Sequence, residues 1–244
     1  MRYVLVSILI CGIMAHGYSN DKEREIIEAI SENDFNSFIR IIEEGYDYKQ
    51  LYNDSCLGHG YTLLHISAIH NSVKISEYLI QKGLDVNYKS EEGYAPLHFA
   101  IMGGGDTVKL LIEKGAQINI KDNKGATPLH AAAKNYENTR IVEYLIKKGA
   151  DVNARDIYGC TPLHWICTNE CDDLGKSVAL VLLDNGAYRD IRKKTRKEWD
   201  GYPSGSTPAD IAKISGYPEW EVFFNEYMKE KKLEKKGCLL NLFY

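Results

Sequence analysis

Apolar residues fall along this chain in short paired bursts, not in long runs. Ile26, Ile27, Ala29 and Ile30 share one face at helical spacing, and Phe35, Phe38, Ile39, Ile41 and Ile42 make a second, with Asn33-Asp34 between them as a turn. The same two-helix pattern returns downstream. From its second helices the pattern predicts a core set of Leu79, Ile80, Leu110, Leu111, Ile112, Leu145, Ile146, Leu180, Leu182 and Leu183. Its first helices carry small residues, Ala68, Ala100, Ala132 and Ala133, where another helix can approach closely. Full burial of a Leu or Ile side chain contributes roughly 1.5–3 kcal/mol, so removing any of the core set is expected to be felt.

The first helices also open alike. In Thr127-Pro128-Leu129-His130 the Thr127 hydroxyl suits the N-cap, and Pro128 suits the first helical position, where its missing N–H costs nothing. The sequence carries four variants of this opening: Thr62-Leu63-Leu64-His65, Ala95-Pro96-Leu97-His98, Thr161-Pro162-Leu163-His164 and Thr207-Pro208-Ala209-Asp210. Taken in chain order, the five openings are 33, 32, 34 and 46 residues apart. A signature returning about every 33 residues resembles the ankyrin repeat.

That resemblance implies an all-α fold: an ankyrin-repeat solenoid of stacked helix-turn-helix units with β-hairpin finger loops. It covers residues 18–228 as about six repeats, the first and last degenerate because a terminal unit turns one face to water. In the family the motif histidine hydrogen-bonds within and between hairpin loops, and that role is expected of His65, His98, His130 and His164. Asn71 stands where glycine usually ends the first helix, and asparagine tolerates the left-handed conformation needed there. Gly103-Gly104-Gly105 replaces a helix end, and each glycine lowers helix stability by up to ~1 kcal/mol relative to alanine, so this is expected to be the softest inter-helix turn. After the fifth repeat the hairpin is too long, and Tyr188 to Ser206 reads as an extended basic finger carrying Arg192, Lys193, Lys194, Arg196, Lys197 and Trp199. Residues 229–244 read as a charged, then apolar, tail.

The first seventeen residues differ in kind. Met1-Arg2 is a minimal basic region, Tyr3 to Met14 is almost wholly apolar, and Ala15-His16-Gly17 offers small residues at a cleavage site. These are the three parts of a secretory signal peptide, so residues 1–17 are expected to be removed and the protein exported, to a periplasm or beyond the cell. The apolar run is shorter than the ~20 residues of a spanning helix. A retained leader would instead make the chain a membrane-tethered scaffold, and any membrane contact is expected only through the leader or the C-terminal tail. Hydrophobic residues at 44% and charged residues at 26% suit a folded domain, and a net charge of −4 gives no global basic footprint for nucleic acid, so no nucleic-acid partner is expected. Outside the leader are Cys56, Cys160, Cys167, Cys171 and Cys238, an odd number that leaves at least one unpaired in a monomer.

The sequence holds no phosphate-binding loop, dinucleotide fingerprint, paired-histidine metalloprotease helix or nucleophile elbow. No catalytic residue, cofactor or metal is therefore expected. The expected function is non-catalytic binding of a partner protein by a monomer. The rival is a metal- or redox-dependent activity at Cys160, His164, Cys167 and Cys171, since Cys/His tetrads bind zinc. Ankyrin-type arrays resemble a cupped hand, with hairpin tips as fingers and first helices as palm. On this resemblance the contact positions are Tyr61, Glu91, Glu92, Tyr94, Asn123, Lys124, Ile157 and Tyr158 on the hairpins. At the ends of the first helices they are His70, Met102, Lys134, Asn135 and Asn169. The three tip tyrosines are the expected anchors, because tyrosine supplies large amphipathic contact area at little entropic cost. If the leader is processed, the mature chain begins at Tyr18. N-terminal sequencing of the exported protein reads this directly, and an intact Met1 would establish retention.

Overall fold

The computed structural model describes residues 21–54, 58–103, 105–135, 139–187, 195 and 201–240. The leader, Cys56, Gly104, the last four residues, and Arg192, Lys193, Lys194, Arg196, Lys197 and Trp199 of the basic finger lie outside the described residues. Twelve helices and one two-stranded antiparallel sheet are seen among the described residues. They belong to two compact units, divided after residue 131.

The first unit contains α1 (Asp21–Ser31), α2 (Phe35–Glu43), β1 (Tyr52–Asp54), β2 (Gly58–Tyr61), α3 (Leu63–Ile69), α4 (Val73–Gln81), α5 (Pro96–Gly103) and α6 (Thr107–Glu113). Each helix pair packs on itself, α1 on α2, α3 on α4 and α5 on α6. First helices also pack on first helices, α1 on α3 on α5, and second on second, α2 on α4 on α6. Helices of seven to nine residues are marginal in water, so this lateral packing is what holds them. Ile26, Ile30, Phe38, Ile41, Leu63, Leu64, Ile75, Leu79, Leu97 and Leu111 form its fully buried interior.

Helix ends supply the remaining ties. Asp34 caps α2 by accepting from Asn36 N and Ser37 N, both at 3.1 Å. Asn71 is left-handed, with φ 54°, as its place at the end of α3 requires. Its Oδ1 then reaches the next repeat and accepts from Thr107 N and Thr107 Oγ1, both at 3.0 Å. Ser72 Oγ donates to Ile30 O at 2.6 Å, tying the second repeat to the degenerate first.

The second unit contains the end of α7 (Pro128–Lys134), then α8 (Thr139–Lys147), α9 (Pro162–Ile166), α10 (Asp173–Asp184), α11 (Pro208–Ile214) and α12 (Glu219–Leu240). Here α10 packs on α8 and α9, and α11 on α9 and α12. The residues added after α9 have a use: Asn169 O accepts from Trp220 Nε1 at 2.9 Å, and Asp172 Oδ1 caps α10 through Gly175 N at 2.7 Å. Trp220 is fully buried and stacks on Phe224, with centroids 5.7 Å apart. Tyr227 donates to Asp184 Oδ1 at 2.9 Å, which fixes α12 along α10.

Three expectations need correction. Leu180 is 39% exposed, because α10 turns Gly175, Val178, Ala179, Leu182 and Leu183 inward and leaves residue 180 off that face. Ile80, Ile112 and Ile146 are only half-buried, each one step round its helix from a buried leucine. The charged segment from Lys229 is a continuation of α12, because a run of Lys and Glu with no proline favours the helix. Among the described residues no helix is long and apolar enough to cross a membrane.

The glycine-rich turn has a steric reason that the sequence did not disclose. A Cβ on Gly103 would stand 2.3 Å from Ile69 O and 2.9 Å from Ala68 O, and one on Gly105 would fall on the Asn71 amide. The end of α5 therefore lies against the end of α3 closer than any side chain permits. Alanine for glycine in a helix ordinarily gains ~1 kcal/mol, but a clash with backbone carbonyls that cannot swing aside costs about 1–3 kcal/mol. Gly103→Ala is thus expected to lower the urea midpoint, and an unchanged or raised midpoint would show that the turn yields.

Candidate functional site

The hairpins of the first unit are tied tip to tip. β1 and β2 pair Tyr52 with Tyr61 and Asn53 with His59, and Gly60 N donates to Asn53 Oδ1 at 2.9 Å. Glu91 N then donates to His59 O at 3.0 Å, and His59 N donates to Glu92 Oε1 at 3.0 Å. Asn123 continues the ladder, its N donating to Glu92 O at 3.0 Å and its Nδ2 to Glu91 O at 2.7 Å. The sequence reading missed the longer first hairpin, although its signal is there. From the helix-ending glycine to the motif threonine or alanine is 12 residues in Gly83–Ala95, Gly115–Thr127 and Gly149–Thr161, but 17 in Gly45–Thr62.

This ladder reassigns several expected contact residues. Tyr61 is 2% exposed: its ring meets His65 and Phe99 edge-on at 5.8 and 5.3 Å, and its hydroxyl donates to Glu92 Oε2 at 3.3 Å. An aromatic side chain just before the helix cap packs on the motif histidine, so Tyr61 offers no face to a partner. Tyr94 is half-buried for the same reason, edge-on to His98 and Phe99. Glu92 is half-buried, and its carboxylate serves the hairpins: burial alone would raise its pKa, but the hydrogen bonds it accepts hold it below the ordinary value. Glu91, Met102, Asn123 and Lys124 are exposed. His70 is half-buried, burial pushes its pKa down, and its enclosed Nε2 has no hydrogen-bond partner among the described residues.

The motif histidines are neutral bridges. Nδ1 of His65, His98, His130 and His164 faces the backbone N–H of Thr62, Ala95, Thr127 and Thr161 at 3.1–3.2 Å. A backbone N–H only donates, so Nδ1 is the acceptor and the proton sits on Nε2. In the first unit that Nε2–H donates onward, from His65 to Tyr94 O at 3.0 Å and from His98 to Ala126 O at 3.3 Å. Burial pushes the pKa of both rings down to about 4. In α11 an aspartate fills the local role, Asp210 Oδ2 accepting from Thr207 N and Oγ1 at 2.8 and 2.7 Å.

In the second unit the arrangement differs around Asp156. Its Oδ1 accepts from Tyr158 N and Cys160 N at 2.9 and 2.8 Å, as Asp122 Oδ1 does from Lys124 N and Ala126 N. Asp156 Oδ2 takes a further bond, from Trp165 Nε1 at 3.0 Å, and burial raises its pKa. Trp165 is half-buried, and Lys134 Nζ lies 5.6 Å from its ring centroid. Lys134 is exposed, while its carbonyl accepts from Asn169 Nδ2 at 2.6 Å. Ile157, 48% exposed, occupies the tip, with Tyr158, Asn135 and Asn169 half-buried. Trp165 was not singled out in the sequence, because it follows the motif His where Ala131 and Phe99 stand in other repeats.

The cysteine tetrad is not assembled. His164 Nδ1 is engaged by its own cap, and Cys167 Sγ donates to Leu163 O at 3.2 Å. Burial raises the Cys160 and Cys167 thiols well above their usual range and Cys171 to about 11, so the thiolate that a metal or a redox step needs is disfavoured. Among the described residues no group of three or more His, Cys, Asp or Glu side chains is arranged to hold a metal ion.

A family model described as ankyrin repeats (3 copies) matches residues 26–122 and 106–195. The chain belongs to the ankyrin-repeat family. The matched spans include the degenerate first repeat and stop before α11 and α12, the helix pair that the Thr207-Pro208-Ala209-Asp210 opening leads the sequence to predict. Ankyrin repeats are protein–protein interaction modules, and the family is typically non-catalytic.

The histidine bridges make this array acid-sensitive. Their folded pKa lies below the unfolded value of 6.5, so the unfolded chain binds protons first. Their contribution is whole above pH 6.5 and is lost as pH falls toward about 4, by at most roughly 3 kcal/mol for each ring. The urea midpoint is expected to fall between pH 7 and pH 5. His65→Asn/His98→Asn should start lower and fall less over the same interval, and parallel profiles would refute the assignment.

Proposed function

We propose that the chain binds another protein, without catalysis, through side chains at its hairpin tips and at the exposed ends of its first helices. The observation that carries this reading is the character of what remains exposed. At equivalent tip positions stand Glu91, Asn123 and Ile157, and the first two contribute to the ladder between hairpins. Ile157 has no such use, and neither has Met102, which is 37% exposed at the end of α5. Exposed apolar side chains among polar ones are where a partner gains most from desolvation. Lys124 in the first unit and Lys134 in the second each add an exposed cation to their own surface.

We further propose that the protein acts after export, as a monomer. The leader sequence supports export, and the repeat, which needs no second copy to close a site, supports the monomer.

The test is capture of a partner from native extract on immobilised mature protein, with two variants alongside. One carries Glu91→Lys/Met102→Ala/Lys124→Glu and the other Lys134→Glu/Ile157→Asp; circular dichroism must match wild type for both. A partner held by wild type is expected to fall at least about tenfold with one or both, as loss of anchor residues requires. A partner retained equally by both variants would refute the proposed surface.

A further inference from the structure

Resting on the protein-binding reading, the surface of the second unit specifies its ligand more narrowly. Three observations meet there. The Trp165 indole is oriented by a hydrogen bond, its Nε1 donating to a buried carboxylate that is itself held by two backbone N–H groups. The Lys134 ammonium lies over that ring and has no ion-pair partner among the described residues. Ile157 directly follows the aspartate that holds Trp165 and is exposed. The surface thus offers an apolar platform, a rigid aromatic ring and one cation whose charge is uncompensated. Asp156 does not compensate it, because that carboxylate is buried and spent on Trp165, Tyr158 and Cys160.

We infer that Lys134, Ile157 and Trp165 take a short segment of the partner in which a carboxylate stands beside an apolar or aromatic side chain. The carboxylate pairs with Lys134, and its neighbour covers Ile157 and the open part of the Trp165 ring. A cation already resting on an aromatic face is partly desolvated, so pairing it with a carboxylate gains more than an ion pair in open water. One cation is too few for a phosphate backbone, whose binding rests on several neutralised phosphates. The held indole confers selectivity: a rigid ring loses little entropy when it is covered.

The test uses the full chain and a random dodecapeptide display library. Wild type is expected to enrich peptides with Asp or Glu adjoining Leu, Ile, Phe or Trp. A representative peptide, synthesised and titrated by tryptophan fluorescence, should bind at least tenfold more weakly to Lys134→Glu and to Ile157→Asp. It should bind Lys74→Glu, a change at an exposed position of α4 outside the proposed surface, as it binds wild type, and Lys134→Glu should itself select basic peptides. Enriched peptides without an acid beside an apolar residue would overturn the inference, as would equal affinity for Lys134→Glu or tighter binding of a single-stranded DNA twenty-mer. If capture shows a protein partner lost with the Glu91, Met102 and Lys124 substitutions while the peptide test fails, only this inference falls and the protein-binding reading stands.

Discussion

A neutral imidazole, accepting from its own helix cap and donating into the next hairpin, is the bond on which the stack depends. The helices it serves are too short to persist alone, and their apolar faces close only against a neighbouring repeat. Packing alone would leave hairpins free to tilt. His65 and His98 remove that freedom, because Nδ1 is fixed by a backbone N–H and Nε2–H has one direction left in which to donate. Both ends of each ring are buried and satisfied, which is why the neutral form is held so firmly. The final repeat shows the converse. Asp210 caps α11 equally well, but a carboxylate carries no ring N–H to donate to a following hairpin.

Once those positions are fixed, the hairpin tips have only a few roles open to them. In the first unit the ladder from His59 through Glu91 and Glu92 to Asn123 takes up the side chains of Glu92 and Asn123, while His59 and Glu91 enter it through their backbone. A polar tip residue with a neighbour in reach acts as structure, however surface-like it looks in the sequence. The residues that the ladder leaves exposed, such as Met102, Lys124 and Ile157, are those to which the proposed reading assigns recognition. The same logic separates the tyrosines. Tyr61 and Tyr94 stand before helix caps and are drawn onto motif histidines and Phe99, so their amphipathic character serves the interior.

What was legible in the sequence was whatever repeats. The period, the caps and the small residues between first helices follow from local chemistry seen several times over, the left-handed Asn71 from one asparagine at a helix end, and the role of the motif histidine from the family resemblance. What was not legible depends on distance between repeats. Nothing local says that Gly103 lies under the carbonyls of Ala68 and Ile69, or that Tyr61 points inward. Leu180 was assigned to the core because it is leucine on a buried helix, yet one residue of rotation puts it outside. The charged end of α12 reads as a tail when composition is weighed and as helix when propensity is. For the site, the residue types at the tips could be read, but their use could not. Asn123 and Ile157 share a position and differ only in whether a neighbouring carbonyl is met.

That difference shows how one scaffold can vary its surface without disturbing its frame. Asp122 and Asp156 do the same structural work, each accepting two backbone N–H groups of its own hairpin through Oδ1. Oδ2 is surplus to that task. Beside Asp156 a tryptophan has replaced the small residue found one repeat earlier, Ala131, and its indole N–H takes up the surplus acceptor. The hairpin bonds are unchanged, so the frame tolerates the exchange. The surface, however, gains a large ring at a fixed angle and a lysine laid across it. A buried hydrogen bond to a carboxylate is strong enough to orient an indole that would otherwise sample several rotamers. Specificity in this array can therefore arise from a single substitution that engages an acceptor the fold had already placed.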